Sequence, residues 1–380
     1  MEIPLSYEML RVIWWALLGV LLIGFAISDG FDLGVGALLP VVARTDAERR
    51  LVINTVGPTW EGNQVWLILG GGAIFAAWPM VYATAFSAFY LAMFVVLAAL
   101  ILRPVGFKYR SKREDKRWRS FWDWALFTGG FVPALIFGVA VGNLLVGAPF
   151  RIDDDLRIFW EGNFFGLLNP FALLCGLLSV SMLMLHGAAW LSMKLEYGVV
   201  RDRARALAPL FAVASMALFA LGGLWVAFGD LGYSAAPVDP AGPSNPLLTT
   251  TTAEAGGWLS NYAEHPWTIL APVLGFAGAV LALFGLKANS EWLTFTGSKT
   301  SVIGIIATVG VSMFPFILPS SIDPASSLTV WNSSSSHQTL FIMLIATAIL
   351  LPLVLLYTAW AFKVMFGRVT SEEIARGDYY

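Results

Sequence analysis

The chain has 380 residues, 58% of them hydrophobic and only 13% charged, with a mean hydropathy of +0.73. About a quarter of a soluble domain is charged, so this composition excludes a soluble globular protein and a nucleic-acid binder and indicates a polytopic membrane protein. The net charge of −2 says nothing about partners, and a single cysteine, Cys175, excludes an intramolecular disulfide and any multi-cysteine iron–sulfur or zinc site.

A spanning helix needs roughly 20 apolar residues. Nine segments meet that need: 10–36, 52–75, 80–102, 121–146, 164–193, 206–229, 266–286, 301–318 and 338–365. The first is too long for the apolar core of a signal peptide and has no cleavage site. The second and third are separated only by Ala77–Trp78–Pro79 and form a helical hairpin. An odd count puts the termini on opposite sides. With the N-terminus outside, 20 of the 23 Lys and Arg residues fall in cytoplasmic segments, and only Arg11, Arg151 and Arg157 do not. Basic residues gather on the cytoplasmic side, so the N-terminus is expected outside and the C-terminus, with Lys363, Arg368 and Arg376, in the cytoplasm. The chain is thus all-α and one integral membrane domain over 1–380. Its longest loop, 229–266, is expected to cap the periplasmic surface with Trp258 as anchor.

Three acids remain inside the spans: Asp29 and Asp32 in the first, and Glu61 in the second. Asp29 and Asp32 are three residues apart and share a helix face. Glu61 lies within GPTWEGNQVW at 57–66, roughly 15 Å in from Arg49–Arg50 at 1.5 Å per residue. That count places it near the bilayer middle and makes the acids a ladder from the cytoplasm inward. Buried carboxylates can both take and give a proton, which suits a proton path. No basic residue lies at the same depth to pair with them. Pro58 lacks a donor and loosens the helix, and irregular backbone at membrane depth lies against protein or a wet cavity. Asn63, Gln64 and Trp60 would line that cavity. The competing structural reading is a helix–helix hydrogen bond. Gly30, Gly34, Gly36 and Gly70–Gly72 read as close helix-packing positions.

Histidine is scarce. His265 and His337 sit at span ends. His186, inside the fifth span, is the one candidate axial heme ligand, and a packed or hydrogen-bonded role suits it better. The residues by themselves therefore point to a proton path without a bound cofactor or metal.

Several long strings are idiosyncratic: RVIWWALLGVLLIGFAISDGFDLGVG at 11–36, NTVGPTWEGNQVWL at 54–67, GGAIFAAWPMVYA at 71–83, RPVGFKYRSK at 103–112, GNLLVG at 142–147, NPFALLCG at 169–176, FPFILPSS at 314–321 and SSLTVWNSSSS at 326–336. In these, nearly end to end, the chain resembles subunit II of the bacterial cytochrome bd-type quinol oxidases, the cyanide-insensitive variants as much as the better-known form. The resemblance implies two four-helix bundles plus one peripheral helix in the bacterial inner membrane. It implies an obligate partner, subunit I, carrying two b-type hemes, one d-type heme and the quinol site. The complex would oxidise quinol and reduce dioxygen to water, building a membrane potential without proton pumping. Subunit II of the family carries no heme and serves structural support, proton supply and oxygen access. Glu61 matches the family's intramembrane acid, often aspartate; Asp29 and Asp32 match its DGFD motif. Trp66 matches the tryptophan beside an apolar oxygen route. Thr59 departs from members that place histidine there, so this chain has no imidazole at that point. A small single-span accessory subunit and a bound quinone or lipid fit the resemblance, but no motif specifies either. The reading from another class is an ion-coupled secondary transporter, and a third is a purely structural membrane subunit. Paired broken helices in two corresponding halves, which would favour transport, are not evident.

Overall fold

The structure is a computed structural model that describes residues 3–372. Arg376 lies outside the described residues. Thirteen helices follow in chain order: α1 (Tyr7–Val42), α2 (Asp46–Asn54), α3 (Trp60–Ala77), α4 (Pro79–Ala88), α5 (Tyr90–Leu100), α6 (Leu102–Tyr109), α7 (Lys116–Val146), α8 (Pro170–Lys194), α9 (Val199–Phe228), α10 (Ser260–Glu264), α11 (Leu270–Lys287), α12 (Glu291–Met313) and α13 (His337–Val364). The described strands form three antiparallel pairs in the connections: β1 (Phe150–Ile152) with β2 (Ile158–Trp160), β3 (Tyr233–Ala235) with β4 (Thr251–Ala253), and β5 (Phe316–Leu318) with β6 (Leu328–Thr329).

Among the described residues, seven helical stretches are long and apolar enough to cross a membrane: α1, 90–112, α7, α8, α9, 266–287 and α13. The 18-residue α3 and α12, which carries Glu291 and Lys299, are not among them. The boundaries differ from the expected spans where local chemistry intervenes. The second expected span, 52–75, is not one helix, because α2 stops at Asn54 and α3 starts at Trp60. Pro58 sits in the intervening turns and cannot donate to the Asn54 carbonyl. The fifth begins at Pro170 rather than 164, where the Asn169 side chain accepts from Ala172 N and caps the helix. The eighth starts earlier, with Ser290 as its cap, and residues 316–318 are strand β5 rather than helix.

Helix α1 packs against α3, α7, α8 and α12. Its glycines make this possible. A Cβ on Gly34 would lie 2.0 Å from the Leu183 carbonyl oxygen of α8, and one on Gly130 of α7 would lie 2.6 Å from the Leu33 carbonyl oxygen. Backbones this close tolerate no side chain. Gly71 and Gly72 of α3 instead open onto free space, so they are not the packing positions expected. Helix α13 exposes an almost continuous apolar surface, including Ile345, Ile349, Leu353, Leu356 and Trp360, and Leu340 alone among its described residues is buried.

The two ends differ in chemistry. At the loop-rich end, Trp258 is buried and its indole donates to Leu145 O at 3.0 Å, while Tyr233 donates to Val146 O at 2.8 Å. Arg11 is fully buried there. It donates to Ser334 Oγ at 2.8 Å, Pro240 O at 2.6 Å and Gly242 O at 3.1 Å, with its guanidinium 3.6 Å from the Tyr7 ring centre. At the basic end, Arg203 bridges Glu48 and Val42 O, and Arg368 and Arg201 converge on Glu291.

Candidate functional site

Helix α1 carries Asp29 and Asp32 on one face, both buried. The break at 55–59 starts α3 afresh, and Trp60 and Asn63, one turn apart, point at that face. Helix α6 continues the chain beyond α5 by two more turns and brings Arg103 to the same place. Arg103 donates from Nη2 to Asp29 Oδ1 at 2.8 Å and from Nη1 to Asp29 Oδ2 at 3.0 Å, a two-pronged pairing with both side chains buried. Its Nη2 lies 3.8 Å from Asp32 Oδ2. Asn63 Nδ2 donates to Asp32 Oδ2 at 2.8 Å. Asp32 Oδ1 is buried with no hydrogen-bond partner among the described residues, and so is Trp60 Nε1. The Trp60 ring centre lies 5.9 Å from the Arg103 guanidinium and 5.4 Å from the Phe107 ring centre.

The structure therefore corrects the expectation that no cation lies at the depth of these acids. Arg103 sits among the basic residues of RPVGFKYRSK, but it is turned into the core instead of out to water. It also divides the expected ladder. Glu61, in the first turn of α3, points away from the cluster. Its side chain is 68% exposed on this chain, and its Oε1 lies 3.8 Å from Lys108 Nζ. A depth counted along one straight helix fails because the helix is broken. Gln64 shares Glu61's outward side and is half-buried. Trp66 faces inward and packs on α1, where a Cβ on Gly24 would lie 2.9 Å from its ring.

A further acid was missed. Asp123, near the start of α7, is buried and accepts from Arg49 Nη1 at 2.6 Å and from Arg110 Nε. Arg110 and Arg119 also reach Asp46, so the network ties α2, α6 and α7. Its signal was its position inside the expected fourth span.

His186 of α8 is fully buried. Its Nε2 lies 3.0 Å from Ile27 O and its Nδ1 2.8 Å from Ser298 Oγ, and its ring stacks on Phe295 at 5.0 Å. A carbonyl can only accept, so Nε2 carries the proton; Nδ1 faces the Ser298 hydroxyl, which also lies 2.8 Å from Phe295 O. With both nitrogens engaged and an aromatic face against the ring, this histidine does not fit as a heme ligand. His265 is exposed, and His337 Nε2 lies 2.7 Å from Leu5 O.

Residues 10–365 match the family described as cytochrome bd terminal oxidase subunit II. The chain belongs to this family. It is 50% identical over 376 residues to cytochrome bd-I ubiquinol oxidase subunit 2 of Escherichia coli (strain K12), covering 99% of each chain. A probable cytochrome oxidase subunit 2 of Haemophilus influenzae is 48% identical over 375 residues, and a cytochrome bd ubiquinol oxidase subunit 2 of Bacillus subtilis is 32% identical over 365. Among solved structures, a chain of the bd oxidase from Geobacillus thermodenitrificans matches with a TM-score of 0.70, covering 94% of this chain and 99% of that one. At 16% identity that likeness speaks for the fold. As a bd-oxidase subunit II, the chain is part of a membrane-bound respiratory oxidoreductase. The buried cluster Asp29–Asp32–Asn63–Arg103 is its most unusual internal chemistry.

Proposed function

We propose that this subunit II carries no redox centre of its own and serves a bd-type quinol:oxygen oxidoreductase as support, proton conduit and oxygen access. The partner, subunit I, would hold two b-type hemes, one d-type heme and the quinol site, and the complex would build a membrane potential without pumping. The chain would span the bacterial inner membrane nine times, with α3 and α12 crossing inside the protein, the N-terminus periplasmic and residues 229–266 as the periplasmic cap. Support for the partner comes from the relatives, which are named as numbered subunits of ubiquinol oxidases.

The observation that carries the proton role is the unequal bonding of the two acids. Arg103 holds both oxygens of Asp29. Asp29 thus acts as the fixed counter-ion. Asp32 keeps one oxygen without a hydrogen-bond partner among the described residues, beside the Asp29–Arg103 pair, and would be the acid that changes protonation. Asn63 orients it. Glu61 would be the next station, in the partner's direction. Glu61 stands exposed on a face shared with the exposed apolar Val65 and Ile68, a setting that is costly for a carboxylate against lipid, so we place this face against subunit I. Gln64 would line that step. The apolar packing around Trp66 would admit oxygen.

The test is Asp32→Asn in the purified complex. Quinol-dependent oxygen uptake and charge separation should fall at least about tenfold, equivalent to about 1.4 kcal/mol in the barrier, with the heme spectrum unchanged. Full turnover would remove Asp32 from the path.

A further inference from the structure

Between α1, α2, α6 and α7 lies a cavity of ≈ 10 Å³, measured as the space open to the centre of a water molecule. Asp32 and Arg103 line it together, and the rest of its wall includes Val52, Val56, Phe107 and Leu126. These named residues are buried, but the cavity is not fully sealed: Gly36, also on its wall, is only half-buried. Its size is about that needed for one water, which also requires at least two polar partners. Both partners are present. Asp32 Oδ1 is a buried acceptor with nothing donating to it. Arg103 has five N–H groups and spends two on Asp29. An acceptor and a donor thus border one small space whose remaining wall is mainly apolar. A buried carboxylate oxygen left without a donor is costly, and one water removes that cost.

We infer that this cavity is a binding site for a single water molecule, which donates to Asp32 Oδ1 and accepts from Arg103. Its small volume holds one molecule. The site follows from geometry; its part in proton transfer rests on the reading of Asp32 given above.

The test is a high-resolution density map of the purified complex. The expected result is one isolated solvent peak within hydrogen-bonding distance of both Asp32 Oδ1 and Arg103. A map that resolves other buried waters but shows none here overturns the site, and so does a continuous file of peaks to the basic surface. Val56→Ile adds a methylene to the wall and should abolish the peak; Val35→Ile, on another wall of the same cavity, does so if the first variant does not assemble. A peak unchanged in an assembled variant overturns the assignment. The two readings fail separately. Full oxygen uptake by Asp32→Asn with the wild-type peak present sinks the proton role and leaves the site. An inactive Asp32→Asn with no wild-type peak sinks the site and leaves the proton role.

Discussion

Arg103 and Asp29, 74 positions apart in the chain, meet through two hydrogen bonds of 2.8 and 3.0 Å with both side chains buried. The pair joins α6 to α1 at the level of the candidate relay. Its geometry makes it a fixed element, and the first prediction follows from that.

Removing one member of a buried ion pair typically costs 3–5 kcal/mol, because the other charge is left without compensation. Arg103→Gln should therefore lower the thermal stability of the assembled complex sharply, and Asp29→Asn should lower it too. The double variant Asp29→Asn/Arg103→Gln removes both charges and should recover part of the loss. Thermal unfolding of the complex in detergent, followed by its heme absorbance, measures this. Additive losses in the double variant would mean that the pair is not the stabilising unit.

Glu61 and Lys108 are each more than half exposed on this chain and 3.8 Å apart. Such a pair contributes about 0–1 kcal/mol, so Lys108→Met should leave stability and turnover nearly unchanged. Glu61→Gln should lower oxygen uptake and charge separation while the complex still assembles. Equal effects of the two substitutions would show that the pair matters and not the proton on Glu61.

The crossing of α1 and α8 admits no side chain at Gly34. Gly34→Ala should destabilise the subunit by about 1–3 kcal/mol, the usual cost of overpacking a filled interior. Gly19→Ala on the same helix meets nothing within 4 Å and should be neutral or slightly stabilising, since alanine is the better helix former by roughly 0.5–1 kcal/mol. Melting temperatures of the two variants in the complex decide it.

The connection after α8 holds the segment that follows α13. Glu196 Oε1 accepts from Ser371 N at 2.9 Å and from Ser371 Oγ at 2.7 Å. These bonds hold its carboxyl below the ordinary glutamate value of 4.5. The folded-state value is depressed, so the contribution is complete above that ordinary value and disappears as pH falls through the lower, folded-state one. Amide exchange across 365–372 should accelerate in that acid window, and Glu196→Gln should make the exchange insensitive to pH there. An identical pH profile in the variant would exclude Glu196 as the titrating group.

Much of the membrane architecture was legible because apolar length is a direct consequence of bilayer thickness. The acids Asp29 and Asp32 stood out for the same reason. Arg103 did not, because it opens a run of basic residues and hydropathy cannot tell its inward turn from the outward turn of Lys108. A Pro-Val-Gly-Phe stretch between those two was the available hint that the helix continues into the core. Glu61 was recognised as unusual, but its depth was counted along a helix that Pro58 interrupts. Asp123 stands in the first turn of the expected fourth span, where hydropathy cannot tell an acid turned into the core from one turned to water. These misses share one cause: the sequence states which side chains are polar, while packing decides which way each of them turns.

The buried position of Arg11 also bears on how the molecule is made. Its acceptors lie 229, 231 and 323 residues further along the chain. At a synthesis rate of about 5–20 residues per second, Ser334 leaves the ribosome roughly 16–65 s after Arg11. For that interval the guanidinium is solvated at one face of the bilayer and fixes how far the first helix can sink. The residue that ends as an internal fastening thus begins as a float.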